Sequence, residues 1–138
     1  MKVSERMTTE VSTVGPDTKA AFAFLKMVQF GFRHLPVIDF EGNVWGIVSY
    51  GDLREALQLK TSDQHLTIEH FEASPLIQDI CTRHITSVTP DMDVRTAAKI
   101  MVKQKIGALP VMDDNRKLLG IITESDMLSI FVEIMDLL

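Results

Sequence analysis

Apolar residues recur along the 138-residue chain with two different periods, and the switch between them marks out elements. A β-branched run at residues 11–14 reads as a short strand. Pro16-Asp17 follows, which biases the preceding residue towards extended backbone and opens a turn. Ala20, Phe24, Met27 and Val28 then recur at spacings of three and four, the period of one helix face. Gly31 is placed to end that helix in the left-handed conformation. Two apolar runs joined by Phe40-Glu41-Gly42-Asn43 carry the signal of a hairpin, and another helix starts near Tyr50. The unit is strand, helix, strand, strand, helix.

The same unit occurs a second time. Leu35-Pro36-Val37-Ile38-Asp39 matches Leu109-Pro110-Val111-Met112-Asp113, and Gly46-Ile47-Val48-Ser49 matches Gly120-Ile121-Ile122-Thr123, both at an offset of 74 residues. Pro16-Asp17 and Pro90-Asp91, Met27-Val28 and Met101-Val102, and Asp52 and Asp126 keep that offset. A gapless register from Val14 to Leu53 is stronger evidence of duplication than any single motif. In the second copy the strand is at residues 85–88. The helix face there is Val94, Ala97, Ala98, Met101 and Val102, the hairpin turn is Asp114-Asn115-Arg116-Lys117, and the last helix starts near Glu124. The expected division is a first repeat over residues 1–59, a polar linker with some helix over 60–75, and a second repeat over 76–138. The expected fold is α/β. A unit of this size buries little surface alone. The two should therefore pack their sheets together about a pseudo-twofold axis, leaving two symmetric clefts suited to small ligands.

Composition narrows the function classes. Apolar residues are 46% and charged residues 24% of the chain, enough for a real core, and the formal net charge is −5. That charge argues against nucleic acid and anionic membrane surfaces as partners, since both call for a basic face. No apolar run approaches the ~20 residues that span a bilayer. Met1-Lys2-Val3-Ser4-Glu5-Arg6 lacks the apolar stretch of a signal peptide. One cysteine, Cys81, excludes an intrachain disulfide. These features together predict a soluble cytoplasmic protein.

Chemistry concentrates where each hairpin meets its last helix. In Ser49-Tyr50-Gly51-Asp52 and Thr123-Glu124-Ser125-Asp126 a hydroxyl residue ends a strand and a carboxylate follows three positions later. A capping box, in which the hydroxyl caps the helix and the carboxylate returns to the cap's amide, accounts for both residue types and their spacing. The same geometry offers free amides and a positive dipole end to a phosphate. It also offers a carboxylate to the two vicinal hydroxyls of a ribose. The two roles can coexist. Arg33-His34 reads equally well as an exposed polar pair in a loop or as phosphate ligands. The matching Gly107-Ala108 makes the two repeats inequivalent. His65 and His70, near Glu69 and Glu72, lack helical metal-ligand spacing and read as linker, so no metal is expected. Cys81 aligns with Met7 and reads as a small buried apolar residue. The eight methionines fall mainly at core positions. No Gly-rich nucleotide loop, no nucleophile triad and no Cys/His pattern supports catalysis, so the expected class is not an enzyme.

The repeated unit resembles the CBS (cystathionine-β-synthase) repeat in its Thr-Val-x-Pro-Asp-like start, its central Leu-Pro-Val and its Gly-Ile-[Val/Ile]-[Ser/Thr]-x-x-Asp close. The resemblance runs from about Val3 to Phe131. Asp52-Leu53-Arg54-Glu55-Ala56 is similar to stand-alone bacterial modules of the acetoin-utilisation type. The resemblance implies a Bateman module: a regulatory sensor binding AMP, ADP, ATP or S-adenosylmethionine in the inter-repeat clefts and signalling to an attached or partner protein. It places the ribose carboxylate at Asp52 and Asp126 and the phosphate-side hydroxyl at Ser49 and Thr123. Adenine contacts fall around Phe32, Leu35 and Pro36, and around Ile106, Gly107, Ala108 and Pro110. Thr13 and Ser87 line the clefts. Arg33 and His34 meet phosphate, approaching Asp126 across the pseudo-twofold.

Two other functions share this fold: an interaction or dimerisation protein with empty clefts, and a detached regulatory segment of a larger enzyme such as inosine-monophosphate dehydrogenase. A homodimer is expected. Met127, Leu128, Phe131, Val132, Met135 and Leu138, with Ile130 and Ile134 beside them, give the last helix more apolar surface than one small core covers.

Overall fold

The computed structural model describes residues 1–60 and 65–138. In chain order the described elements are α1 (Val3–Arg6), α2 (Ala20–Phe30), β1 (His34–Ile38), β2 (Val44–Ser49), α3 (Tyr50–Ala56), α4 (Ile68–Glu72), α5 (Ile77–Ile80), α6 (Val94–Gln104), β3 (Ala108–Met112), β4 (Leu118–Thr123) and α7 (Glu124–Asp136). They form two compact units: residues 12–85, and residues 1–11 with 86–138.

In the unit of residues 12–85, β1 and β2 pair antiparallel, with Pro36 opposite Ile47 and a register shift between Val37 and Ile38. The hairpin turns on Asp39, whose Oδ1 accepts from the amides of Glu41 and Asn43, both at 2.9 Å. Each edge of the hairpin gains one bridge. Val14 donates to the Pro36 carbonyl and accepts from the Ile38 amide, while Thr82 exchanges two hydrogen bonds with Ile47. The strand expected at residues 11–14 is thus a single parallel bridge at Val14. Gly15-Pro16 follows at once, and proline has no amide with which to continue a ladder. Helix α2 ends at Gly31 with φ 75°, its amide bonded to the Met27 carbonyl. Phe24, Met27, Leu35, Val37, Val48, Leu53 and Ile77 make the core. Fully burying side chains of this size stabilises by about 1.5–3 kcal/mol each.

The other unit repeats the plan. β3 and β4 pair with Pro110 opposite Ile121. Asp113 Oδ1 closes the turn on the amides of Asn115 and Lys117. Val88 bridges to Val111 on one edge and Thr8 to Ile121 on the other. Val3, Val94, Ala97, Met101, Leu109, Val111, Ile122 and Ile130 form its core. Val102, expected on the buried helix face, is 79% exposed. Lys105 and Arg116 hold φ 56° and 64°, where the first repeat has Gly31 and Gly42.

Two short helices escape the periodic pattern. α1 and α5 sit at the same 74-residue offset, and Val3 and Ile77 are fully buried, each in its own unit's core. The segment read as linker contains α4, which packs on α2. Its residues 61–64 lie outside the described residues.

Candidate functional site

Both strand-to-helix junctions are capping boxes. The Asp52 amide donates to Ser49 Oγ at 3.1 Å and the Ser49 amide to Asp52 Oδ2 at 3.0 Å. In the second repeat the Asp126 amide donates to Thr123 Oγ1 at 3.4 Å. The Thr123 amide and hydroxyl both donate to Asp126 Oδ2, at 2.8 and 3.0 Å. Among the described residues the boxes use Oδ2 and leave Oδ1 of each aspartate without a donor. Both aspartates are half-buried. The junctions are anchored as well by the residue just before β1 and before β3: the Arg33 carbonyl accepts from the Tyr50 amide and the Gly107 carbonyl from the Glu124 amide.

In the first repeat two cations gather on the Tyr50 ring. The Arg33 guanidinium lies 5.2 Å from the Tyr50 ring centroid and that of Arg54 lies 5.7 Å away, with Arg54 donating to the Tyr50 hydroxyl at 3.4 Å. Tyr50 itself stacks on the buried Phe24 at 5.5 Å. Such cation–π contacts are worth about 0.5–1 kcal/mol at exposed sites and hold the guanidinium groups in place. Tyr50 and Arg54 were not singled out from the sequence. Their meeting with Arg33 depends on the strand-to-helix turn, and the signal available was the Arg54-to-Tyr50 spacing of four. In the second repeat Glu124 and Leu128 stand at those positions.

The other candidate residues separate by burial. Leu35 is fully buried in its core and Leu109 in the matching one; Pro36, Ala108 and Pro110 are buried, so they offer backbone rather than side chain. The Pro36 and Pro110 carbonyls are already taken by Val14 and Val88. Phe32, His34, Ile106 and Gly107 are half-buried, and Arg33 is exposed. Thr13 is half-buried, with its carbonyl accepting from Lys26 Nζ at 2.7 Å, and Ser87 is exposed.

Cys81 and Met7 occupy equivalent places. A Cβ on Gly46 would meet Cys81 Sγ at 3.0 Å and the Thr82 carbonyl at 2.7 Å. One on Gly120 would meet Met7 Sδ and the Thr8 carbonyl, both at 2.7 Å. The glycine of each Gly-Ile pair therefore admits the crossing backbone. Burial pushes the Cys81 thiol above its ordinary range, with nearby Arg83 opposing. His70 serves its own helix, its Nδ1 accepting from the Thr67 amide at 2.9 Å. Among the described residues no group of three His, Cys, Asp or Glu is placed to hold a metal, and no helix is long and apolar enough to cross a membrane.

Known proteins are similar to this chain in sequence and fold. The chain is 32% identical over 125 residues to a homoserine O-acetyltransferase of Methanococcoides burtonii; the match covers 91% of the chain but 23% of that enzyme. A putative acetoin utilization protein from Vibrio cholerae superposes with a TM-score of 0.81 at 31% identity, covering 99% of this chain and 94% of that one. The CBS domain pair of protein MJ0100, solved with 5′-methylthioadenosine and S-adenosyl-L-methionine, gives a TM-score of 0.82 at 25% identity over 96% and 97% of the two chains. CBSX2 in complex with AMP gives 0.79 at 25% identity over the same shares. The CBS domain profile matches residues 3–59 and 77–133. The chain belongs to the CBS domain family and carries two copies of that domain in tandem.

Proposed function

We propose that the chain is a cytoplasmic regulatory module, not a catalyst, that binds an adenosine-containing ligand such as AMP, ADP, ATP or S-adenosylmethionine and signals its presence to a partner protein. The observation that carries this reading is the doubled strand-to-helix junction, in which the cap occupies Oδ2 of Asp52 and of Asp126 and leaves Oδ1 to accept from a ribose. A carboxylate accepting from hydroxyls makes the stronger, charge-assisted kind of hydrogen bond. At the start of α7 the aligned amides favour a phosphate beside Thr123. Arg33, steadied on the Tyr50 ring, supplies positive charge for a phosphate. Two of the matched structures hold adenosine compounds, which agrees with this chemistry.

Thermal shift and calorimetry with AMP, ADP, ATP, S-adenosylmethionine and adenosine test the reading. At least one adenosine ligand should stabilise the chain, with a dissociation constant on the order of micromolar to sub-millimolar. Asp52→Asn and Asp126→Asn are the informative variants, because the asparagine oxygen still accepts from the cap amide. Loss of the charge should weaken binding about tenfold or more at the site that is used. Arg33→Ala should weaken ATP and ADP more than adenosine. If no adenosine ligand gives heat or stabilisation at saturation, the chain is an interaction protein built on the same fold. The exposed face of α7 motivates one further element of the proposal, self-association as a homodimer.

A further inference from the structure

The second repeat carries a charged pair that the first lacks. Arg6, the last residue of α1, donates through two guanidinium nitrogens to the Glu133 carboxylate of α7, both at 2.6 Å. The arginine side chain is 24% exposed and the glutamate 56%. At the 74-residue offset the first repeat has Ile80 and Leu59, both packed against its apolar core. An ion pair open to water is a weak stabiliser beside apolar burial. One repeat thus fills these positions with apolar side chains, and packing gives no reason for charges in the other. Glu133 follows Asp126 by seven residues, two turns along one face of α7, with the buried Ile130 between them on that face. The Glu133 hydrogen bond raises the Arg6 pKa and the Asp126 carboxylate pushes the same way, so the guanidinium stands within electrostatic range of both. Among the described residues Asp126 Oδ1 has no donor. The second repeat holds Gly107 and Leu128 where the first has Arg33 and Arg54. Arg6, Thr123, Asp126 and Glu133 all belong to the unit of residues 1–11 with 86–138.

We propose that Arg6 selects for phosphate at the Asp126 junction while Glu133 holds it in reserve: the guanidinium leaves Glu133 for the 5′-phosphate of an adenosine whose ribose sits on Asp126. The assignment rests on the adenosine reading above and names the residue by which this junction prefers a nucleotide to adenosine. The ribose diol and the 5′-phosphate belong to one sugar, so a cation within range of the ribose carboxylate is placed for the phosphate. Arginine suits the exchange, since its planar fork binds carboxylate and phosphate in the same two-point manner. Glu133 is then an internal competitor. It keeps the guanidinium ordered in the empty junction, and its hold subtracts from the affinity for phosphate.

Calorimetry with ADP and with adenosine tests the proposal, in the full chain carrying Asp52→Asn so that the Asp126 junction dominates the heat. Arg6→Gln should weaken ADP about tenfold and leave adenosine unchanged. Glu133→Gln should strengthen ADP severalfold and leave adenosine unchanged, because the competitor is gone. Arg6→Ile with Glu133→Leu installs the first repeat's residues, keeps the net charge and should bind ADP as weakly as Arg6→Gln does. Circular dichroism checks that this double variant is folded, and the two single variants carry the test if it is not. ADP binding by the double variant equal to that of its parent overturns the proposal, since net charge then explains the single variants. Equal losses of ADP and adenosine overturn it too, since Arg6 then acts through the shape of the junction. So does ADP binding that Glu133→Gln leaves unchanged or weakens, and so does a parent that has lost the adenosine ligands the wild-type chain binds. All of these leave the adenosine reading standing. A wild-type chain that binds no adenosine ligand overturns both.

Discussion

Lys105 ends α6 at φ 56° where Gly31 ends α2 at φ 75°, so one structural position is filled by residues of opposite suitability. A non-glycine residue in the left-handed region costs roughly 1–2 kcal/mol, and glycine's extra freedom in the unfolded chain returns roughly 0.5–1 kcal/mol of that. Lys105 is exposed, so little packing opposes the exchange. Lys105→Gly should therefore stabilise the chain by about 0.5–1 kcal/mol in urea unfolding, and Gly31→Ala should destabilise it by a similar amount. A less stable Lys105→Gly would show that the lysine stem contributes contacts outweighing the strain. At this scale the sequence is readable where an interaction is local. Gly31 as a cap, and the Ser49–Asp52 and Thr123–Asp126 boxes, span three or four residues and announce themselves by residue type. The gathering of Arg33 and Arg54 on Tyr50 joins the residue before β1 to helix α3, and no local pattern encodes it.

Helices α2, α6 and α7 and both hairpins were legible because each holds a periodic pattern over enough residues. α1 and α5 are four residues long, too short for a period, and only the 74-residue offset between Val3 and Ile77 marks them. The edge strands contract to single bridges at Val14 and Val88 because proline follows two residues later in both repeats. Their opposite edges, at Thr82 and Thr8, run so close to β2 and β4 that a methyl group on Gly46 or Gly120 would sit 2.7 Å from a backbone carbonyl. Overpacking against backbone costs about 1–3 kcal/mol. Gly46→Ala and Gly120→Ala should each lower stability by that amount, whereas Gly51→Ala, whose Cβ finds only Ser49 Oγ at 3.8 Å, should not. On the same side of its unit α1 is tied to α7 by Arg6, whose guanidinium donates to both carboxylate oxygens of Glu133 at 2.6 Å. The hydrogen bond from Arg6 holds the Glu133 carboxyl below its ordinary range. A folded pKa below the unfolded one means the stabilisation is complete above the unfolded value, about 4.3, and is lost as pH falls through the folded one. Glu133→Gln should thus lower stability slightly at pH 7 and leave it unchanged well below pH 4, measured as thermal midpoints across that window. An equal deficit at every pH would assign the effect to packing.

Among the described residues α7 carries more exposed large apolar side chains than any other element. Leu128, Val132 and Met135, spaced by four and three residues, are 65%, 54% and 50% exposed, and Leu138 beyond the helix is 94% exposed. Two turns of large apolar residues on one side of a helix exceed the scattered exposure usual on a soluble monomer. A second copy is the expected occupant of the outer stripe. Two-fold pairing brings each α7 against its own counterpart, and a self-complementary aliphatic ridge satisfies that symmetry without a matching charge pattern. The dimer should appear by light scattering at micromolar concentration as twice the chain mass. Leu128→Asp with Val132→Asp should return it to a single mass, because two carboxylates from each protomer would be buried without partners. Both residues are exposed in the single chain, so the doubly substituted protein should keep its far-ultraviolet circular dichroism and lose only the concentration dependence of its thermal midpoint. A wild-type monomer at that concentration would overturn the expectation. So would a dimer indifferent to both substitutions, which would move the interface off this helix.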